Sequence, residues 1–237
     1  MPARVLIIGV GGLGCPAALS LARAGVRLVL CDDDDVCETN LARQILFSQE
    51  DIGRPKLEVA REVLLREGAA DVELRQTRFL PDTASDLLSE VDFAVEGSDN
   101  FATKFLAADA SYLAQKPVVQ GAAVRWHGTV LSSRAGGRPC YRCLFERPLS
   151  SDSAPNCSEA GVMGPVVGFC GALMADLALD LAASDFSRTG HVWSFDGKKE
   201  SLRKTQISAR PDCGLCGPSP DIVSTDWGHY DQTACAG

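Results

Sequence analysis

Positive charge, histidine and long apolar runs are all scarce in this sequence. With 23 lysines and arginines against 31 aspartates and glutamates, the formal net charge is −8, which argues against a surface that binds nucleic acid. The three histidines belong to no motif that would recruit them for catalysis. The longest apolar stretch, 163–175, is too short to cross a bilayer before Asp176, so it predicts a buried helix and no membrane association.

The rest of the composition is ordinary for a globular chain. Hydrophobic residues make up 46% and charged residues 23% of 237 residues, which suits one α/β domain with a substantial core. The first predicted strand begins at Arg4 and leaves no space for a signal peptide before it, so we expect a cytoplasmic protein. In that compartment the ten cysteines are expected to be thiols or metal ligands rather than disulfides.

A glycine-rich turn follows the first apolar run. Residues 5–8 are apolar, and they precede Gly9-Val10-Gly11-Gly12-Leu13-Gly14 and a helix-like stretch. Such a turn exposes backbone N–H groups and a helix N-terminus to a phosphate, although the motif alone also fits many dinucleotide binders or a tight packing turn. Asp32 follows the second apolar run, 26–31, where a carboxylate can accept hydrogen bonds from ribose hydroxyls. The pattern predicts a nucleotide with a free 2′-OH.

Polar and basic residues suited to a triphosphate come next. Asn40, Arg43 and Gln44 lie within one or two helical turns of each other, and Lys56 follows Pro55. Arginine can bind two phosphate oxygens at once and lysine supplies a mobile point charge. Taken singly, each of these cations would also fit a solvated surface position. Together with the glycine turn, they favour ATP over NAD.

Predicted strands and helices then alternate, as a parallel sheet requires. Helices are predicted at 53–67, 82–90 and 101–115, and strands at 72–77, 91–96 and 117–123. A further strand at 128–133 indicates a change to antiparallel pairing. The predicted fold class is α/β, a Rossmann-like and mostly parallel sheet with helices on both faces that continues into an antiparallel C-terminal part.

Asp99 lies just after the predicted strand 91–96, at the carboxyl edge of the sheet, where ligands of open α/β sheets bind. A carboxylate there can hold a Mg²⁺ that bridges phosphates. The alternative is that Asp99 caps the N-terminus of the helix predicted at 101–115. Both interpretations remain open from the sequence.

Two C-x-x-C pairs, Cys140/Cys143 and Cys213/Cys216, provide four thiolates with the local spacing of a structural Zn²⁺ site. The gap between the pairs is far longer than in a compact zinc finger, so the metal is expected to pin the C-terminal part to the main sheet. A redox dithiol or unrelated buried cysteines are the alternatives. We therefore predict one ATP-binding domain with a zinc site over 1–216 and a flexible tail over 217–237.

The order of these motifs resembles the MoeB/ThiF/HesA family, the prokaryotic relatives of ubiquitin-activating enzymes. The resemblance runs from Arg4 to Cys216 and rests on the glycine turn, Asn40-x-x-Arg43-Gln44, Pro55-Lys56, Ser98-Asp99-Asn100, Gly121-Ala122-Ala123, Pro139-Cys140-Tyr141-Arg142-Cys143, Cys157-Ser158-Glu159-Ala160-Gly161-Val162-Met163 and Cys213-x-x-Cys216. It implies that the chain is an adenylyltransferase. In the reaction that the resemblance implies, MgATP activates the C-terminal Gly-Gly carboxylate of a small ubiquitin-like sulfur carrier.

The same resemblance implies roles for single residues. It assigns the ribose to Asp32 and magnesium to Asp99. The remaining nucleotide contacts are assigned to Gly9, Gly11, Gly12, Gly14, Asn40, Arg43, Gln44, Lys56 and Asn100. In some members the cysteine that matches Cys157 forms a covalent link to the carrier, and in others it is dispensable. Arg43, Lys56 and Asp99 are expected to carry catalysis, with Cys157 as a fourth candidate.

The family is dimeric, so we expect a homodimer with 161–182 near its interface, and a sulfurtransferase or cysteine desulfurase as a further partner. Members usually carry an N-terminal arginine that reaches into the partner's ATP site. Since this sequence has no such segment before Arg4, an arginine elsewhere substitutes, adenylation is slow, or the natural chain starts earlier. A relative that binds nucleotide or carrier without turnover, and an NAD-dependent oxidoreductase, are the alternative functions.

Overall fold

The computed structural model describes residues 2–147 and 161–230. Within these residues eight strands form one sheet in the order β3-β2-β1-β4-β5-β6-β7-β8. The strands are β1 (Arg4–Ile8), β2 (Arg27–Cys31), β3 (Val72–Arg75), β4 (Phe93–Glu96), β5 (Val118–Val124), β6 (His127–Ser133), β7 (His191–Asp196) and β8 (Ser201–Gln206). The helices are α1 (Gly14–Arg23), α2 (Lys56–Arg66), α3 (Pro81–Ser89), α4 (Phe101–Leu113), the single turn α5 (Tyr141–Leu144) and α6 (Gly164–Ala182).

The first five strands pair in parallel and form the centre of the molecule. β4 is buried throughout and β1 is buried after its first residue, as expected for strands covered on both faces by helices. The chain runs outward from β1 to β2 and β3 and then returns to β4 on the other side of β1. The connections therefore diverge at the carboxyl ends of β1 and β4, and this point is the usual ligand site of an open α/β sheet.

From β5 onward the pairing is antiparallel, as the sequence predicts. β5 and β6 are joined by a two-residue turn, and all six residues of the edge strand β8 are exposed. The predicted fold class is confirmed: a mixed α/β sheet whose parallel part continues into an antiparallel C-terminal part.

The apolar stretch from residue 163 forms the longest helix of the described residues, α6. Its length and composition would suffice for a membrane span, but half of it is buried inside the protein. A Cβ on Gly171 would come within 2.4 Å of Pro16 Cγ, so this glycine lets α6 approach α1 closely. A Cβ on Gly121 of β5 would likewise meet Met174 Sδ at 2.3 Å. α6 is thus a core helix, packed on α1 and the sheet.

Residues 217–230, the described part of the predicted tail, contact the main domain. Ile222 and Tyr230 are buried, and the indole Nε1 of Trp227 donates a hydrogen bond to Asp82 Oδ1 at 2.9 Å. The Tyr230 hydroxyl donates to the buried Asp109 of α4 at 2.9 Å. Within 217–230 side chains thus cover α3 and α4, while 231–237 lie outside the described residues, so the boundary at 216 stays a prediction.

Candidate functional site

The glycine turn between β1 and α1 depends on two of its glycines for its shape. Gly9 has a φ of +83°, and a Cβ there would lie 3.1 Å from the backbone nitrogen of Ser98. A Cβ on Gly14 would lie 1.9 Å from the Gly9 carbonyl oxygen. No side chain caps α1, but in its first turn Cys15 N donates to Gly11 O, Ala17 N donates to Leu13 O and Pro16 has no N–H, so an anion would be bound mainly by N–H groups of the glycine turn itself.

Gly11 lies in a more open part of the turn. A Cβ there would approach nothing closer than Gln44 Nε2 at 3.8 Å, so packing within the described protein does not require a glycine. The backbone at Gly11 leaves space that a bound group can occupy. Gly12 packs differently, since its Cβ would be 3.4 Å from both Arg43 Cγ and Val167 Cγ2. The turn, Arg43, Gln44 and the start of α6 therefore meet at one place.

Asp32 lies directly after β2 and is tied to the turn. Its Oδ2 accepts a hydrogen bond from Val10 N at 2.7 Å and its Oδ1 accepts one from Asp34 N at 2.9 Å. Burial raises the pKa of the Asp32 carboxyl above its ordinary value, and Lys56 with the two backbone N–H groups offsets this only in part. The carboxylate is fixed beside the turn, where the ribose of a nucleotide bound there would reach it.

Lys56 is the first residue of α2 and its side chain is only 4% exposed. Its Nζ lies 2.6 Å from Asp34 Oδ2 and 3.9 Å from Asp32 Oδ1. Burial alone would lower the pKa of Lys56, but these two carboxylates outweigh it and raise that pKa, so the ammonium stays charged at neutral pH. Because the Asp34 side chain is 66% exposed, it can turn to solvent and release Lys56 to a phosphate.

Arg43 and Gln44 have unused bonding capacity that faces the turn. The Arg43 guanidinium donates to Asn40 Oδ1 at 2.6 Å and to Thr39 O at 3.1 Å, but among the described residues no carboxylate pairs with it. Gln44 is buried, and its Oε1 has no hydrogen-bond partner there. The guanidinium without a carboxylate partner fits the phosphates of a nucleotide, whereas the buried amide oxygen can only accept and fits a hydroxyl or amino donor of a bound ligand.

The loop after β4 carries Asp99 and Asn100. Asn100 is the residue that caps α4, since its Oδ1 accepts a hydrogen bond from Thr103 N at 2.7 Å. The alternative role of Asp99 as the helix cap is therefore wrong, and the exposed Asp99 carboxylate remains at the carboxyl edge of the sheet. The preceding Ser98 packs against Gly9. This placement suits an oxygen ligand for a phosphate-bound Mg²⁺.

A buried ion pair below this loop escaped the sequence analysis. Glu96, the last residue of β4, is fully buried, and Lys104 Nζ of α4 lies 3.1 Å from its Oε2. The only hint in the sequence is a lysine in the apolar face of α4 and a glutamate that ends an apolar strand. Their separation of eight residues in two different elements does not predict a contact.

The four cysteines of the two C-x-x-C pairs meet on the other side of the sheet from α6. Their sulfurs are 3.9 Å apart for Cys140–Cys143, 3.6 Å for Cys140–Cys213 and 3.4 Å for Cys143–Cys216, and no disulfide joins them. A zinc ion at about 2.3 Å from four thiolates places the sulfurs about 3.8 Å apart, so the donor set fits a tetrahedral metal. Burial raises the pKa of the Cys140 and Cys216 thiols, whereas hydrogen bonds outweigh burial and lower the pKa of Cys213; a metal cation would favour the thiolate form.

The cysteine cluster is anchored to α4 by Arg142, which lies between its first two ligands in the chain. The guanidinium donates to both carboxylate oxygens of the fully buried Asp109 at 2.7 Å and to Glu146 O at 3.0 Å. It also lies 4.9 Å from the ring centroid of Phe105. Every arm of this arginine is thus occupied inside the protein. Cys157, the remaining predicted site residue, lies outside the described residues.

Comparisons with known proteins agree with this arrangement. The model of the ThiF family matches residues 2–215. The chain is 41% identical over 225 residues to "Adenylyltransferase and sulfurtransferase MOCS3" of Sus scrofa and 37% identical over 227 residues to the protein of that name in Culex quinquefasciatus. These alignments cover 93% of the chain but 50% and 51% of the relatives, so the chain spans about half their length. It is 38% identical over 228 residues to "Sulfur carrier protein adenylyltransferase" of Thermus thermophilus, covering 92% of the chain and 83% of that protein.

Among solved structures the fold is similar to that of Escherichia coli MccB. The complex of MccB with MccA-N7isoASN superposes with a TM-score of 0.78 at 22% identity, over 91% of this chain and 67% of that one. The structure described as MccB with ATP gives a TM-score of 0.75 at 23% identity, again over 91% and 67%. PaaA gives 0.71 at 20% identity, over 86% of this chain and 64% of that one. At these identities the likeness establishes the fold.

Proposed function

Because the chain belongs to the ThiF family, we propose that it uses ATP to adenylate the C-terminal Gly-Gly carboxylate of a small ubiquitin-like sulfur-carrier protein. The observation that carries the proposal is the convergence of the glycine turn with Asp32, Arg43, Gln44 and Lys56 at one edge of the sheet. The names of the relatives support it, since they describe adenylyltransferases and one of them acts on a sulfur carrier.

The reaction needs alignment and charge neutralisation more than acid–base catalysis. A carrier carboxylate is already ionised at neutral pH, so its oxygen can attack the α-phosphorus of ATP directly. The new bond joins this oxygen to phosphorus, the bond to the bridging oxygen of the β-phosphate breaks, and pyrophosphate leaves with that electron pair. Arg43 and Lys56 would bind the phosphates, whose negative charge grows on the leaving group, and their position beside the glycine turn supports this role. Asp32 would hold the ribose.

Two metals belong to the proposal. Asp99 would hold a Mg²⁺, which would supply charge neutralisation at the phosphates when bound. Cys140, Cys143, Cys213 and Cys216 would hold one structural Zn²⁺. With four thiolate ligands a tetrahedral zinc has no open position for water, so its role would be to join the C-terminal segment to the sheet.

We further propose a homodimer whose interface includes the exposed face of α6. Phe169 and Leu179 on that face are 39% and 37% exposed, and a Cβ on Gly168 would meet nothing within 4 Å. Light scattering at micromolar concentration should give twice the chain mass, and a monomer would reject this part. The proposed location is the cytoplasm, and a sulfurtransferase or cysteine desulfurase is the proposed further partner.

Carrier-dependent exchange between labelled pyrophosphate and ATP tests the central proposal. We expect exchange with a candidate carrier that ends in Gly-Gly and none when the last glycine of the carrier is removed. Binding of ATP and carrier without exchange would support the non-catalytic relative. Tight NAD binding in calorimetry, with no signal from ATP, would instead support an oxidoreductase.

A further inference from the structure

Glu96 and Lys104 form a compact polar cluster under the loop that carries Asp99. Lys104 Nζ lies 3.3 and 3.1 Å from the two carboxylate oxygens of Glu96 and also donates to the carbonyl of Gly121 on β5. The Lys104 carbonyl accepts a hydrogen bond from Gln120 Nε2 at 2.8 Å. The Glu96 side chain is 0% and the Lys104 side chain 4% exposed. The cluster therefore joins the end of β4, the start of α4 and the middle of β5.

The Glu96 carboxylate also accepts hydrogen bonds from the loop that carries Asp99. Glu96 Oε1 accepts a hydrogen bond from Ser98 N at 2.7 Å and a second from the Ser98 hydroxyl. Ser98 in turn lies where a Cβ on Gly9 would be 3.1 Å from its backbone nitrogen. A Cβ on Gly97 would be 3.1 Å from the nitrogen of Gly14. The loop thus touches both ends of the glycine turn, and Glu96 is the side chain that holds it there.

A buried ion pair is a poor device for stability alone, because the cost of removing both charges from water offsets much of their attraction. A pair that also fixes a loop contributes conformational order. We infer that Glu96 and Lys104 are positioning residues that hold loop 97–100 against the glycine turn and so set the affinity of the site for nucleotide and metal. This inference rests on the proposed function, because it takes the turn and Asp99 to be the binding site for MgATP.

The chain offers a matched control. Asp109 and Arg142 form a second pair with side chains 0% and 6% exposed, and Asp109, like Lys104, is a buried residue of α4. This pair contacts the cysteine cluster and Tyr230 rather than the glycine turn. Glu96→Gln and Asp109→Asn each convert a fully buried carboxylate to an amide and leave a buried cation without its counter-charge. Their general cost to folding should be similar, whereas their effect on the loop should differ.

Two measurements on the whole chain test the inference. In calorimetry with ATP and excess Mg²⁺, Glu96→Gln should raise the Kd at least about tenfold, while Asp109→Asn should stay within about twofold of the wild type. In the ligand-free protein, hydrogen exchange at the Ser98 amide should become faster in Glu96→Gln and stay unchanged in Asp109→Asn. The conservative double variant Glu96→Asp with Lys104→Arg keeps both charges. Its MgATP affinity should therefore be close to that of the wild type. If Glu96→Gln does not fold, Ser98→Ala removes one bond to Glu96 and should weaken binding severalfold.

Equal MgATP affinity in Glu96→Gln and the wild type, with unchanged exchange at Ser98, would overturn the inference. An equal loss of affinity in Asp109→Asn would do the same, because the effect would then be general destabilisation. If the wild type binds MgATP but shows no carrier-dependent pyrophosphate exchange, the proposed function fails while the calorimetric comparison still decides the role of the pair. A wild type that binds no MgATP would overturn both.

Discussion

The glycine-turn edge of the sheet and the cluster of four cysteines satisfy their polar groups in different ways. At the turn, Arg43 has no carboxylate partner among the described residues and Gln44 Oε1 is buried without a hydrogen bond. At the cluster, the four sulfurs face one another and Arg142 is bonded in every direction. Buried polar groups without a partner are costly, and those beside the glycine turn are consistent with a place where a ligand binds. A closed set of ligands indicates a group that stays.

The two regions also differ in what holds them in place. The close approach of backbone segments shapes the turn. A Cβ on Gly14, for example, would lie 1.9 Å from the Gly9 carbonyl oxygen. The cluster is held instead by its side chains, because the segments that carry them have little regular secondary structure. Within it, α5 is a single helical turn. A change at Arg43, Lys56 or the open Gly11 should therefore affect binding before stability, and a change at the cluster should affect stability before binding.

The largest expected effect comes from the cluster. Cys213→Ser should remove a zinc ligand and lower the free energy of unfolding by more than about 4 kcal/mol, because loss of a structural metal belongs to the most destabilising class of substitution. Metal analysis should find about one zinc per chain in the wild type. In Cys213→Ser, limited proteolysis should cut the chain within 199–218 before it cuts near Gly9. Zinc-free wild type and an unchanged melting temperature in Cys213→Ser would favour a redox dithiol.

Arg43→Ala tests the open region. Loss of a charge-assisted contact to the leaving phosphates should cost about 2–4 kcal/mol in the transition state, or about 10²–10³ in carrier-dependent pyrophosphate exchange. The melting temperature should stay close to that of the wild type, since Arg43 is partly exposed and its hydrogen bonds to described residues go to the neighbouring Thr39 and Asn40. Lys56→Ala should lower the rate similarly. Wild-type rates in both variants would reduce these residues to surface charges and remove the contrast.

Gly11→Ala sharpens the comparison within the turn. Packing tolerates the added Cβ, whose nearest neighbour would be 3.8 Å away, so we expect no loss of thermal stability. The methyl would occupy space needed by a phosphate at the helix N-terminus, which should weaken ATP binding by at least about tenfold, or about 1.4 kcal/mol. Gly14→Ala is the opposite control and should lower the melting temperature. Unchanged ATP binding in Gly11→Ala would place the phosphates elsewhere.

The smallest expected effect is at Tyr230, which links the end of the described chain to the anchor of the cluster. Tyr230→Phe removes one hydrogen bond to Asp109 but leaves both bonds from Arg142, so the cost to stability should be about 1 kcal/mol. Chemical denaturation can measure that difference, and ATP affinity should not change. If nucleotide binding weakened as well, the two regions would be coupled and the contrast between them would have to be abandoned.

Much of the fold was predictable because its elements carry strong local patterns. The apolar runs at β1, β2 and β4 are buried strands, and α4 begins at Phe101 as predicted. Boundaries differ by a few residues, as for α2, which begins at Lys56 and not at 53, because Pro55 disfavours helix before it. The four cysteines meet as their spacing predicts.

Contacts between elements were harder to predict. Neither the Glu96–Lys104 pair nor the docking of Tyr230 follows from local sequence, since each depends on which face of α4 turns toward its neighbour. The choice of Asn100 over Asp99 as the cap of α4 is equally a matter of one residue in the phase of the helix. Both residue types are good caps, so propensity does not distinguish them.

The sequence by itself determined the order of strands and helices, the glycine turn and the identity of the chemical groups, because these depend on short-range periodicity and on backbone sterics. Only the tertiary structure decided which of those groups are satisfied. Gln44 Oε1 remains without a partner and Glu96 finds Lys104 because of how distant elements pack. The free energy of a polar group depends on its burial and its partners, and residues far apart in the chain provide both.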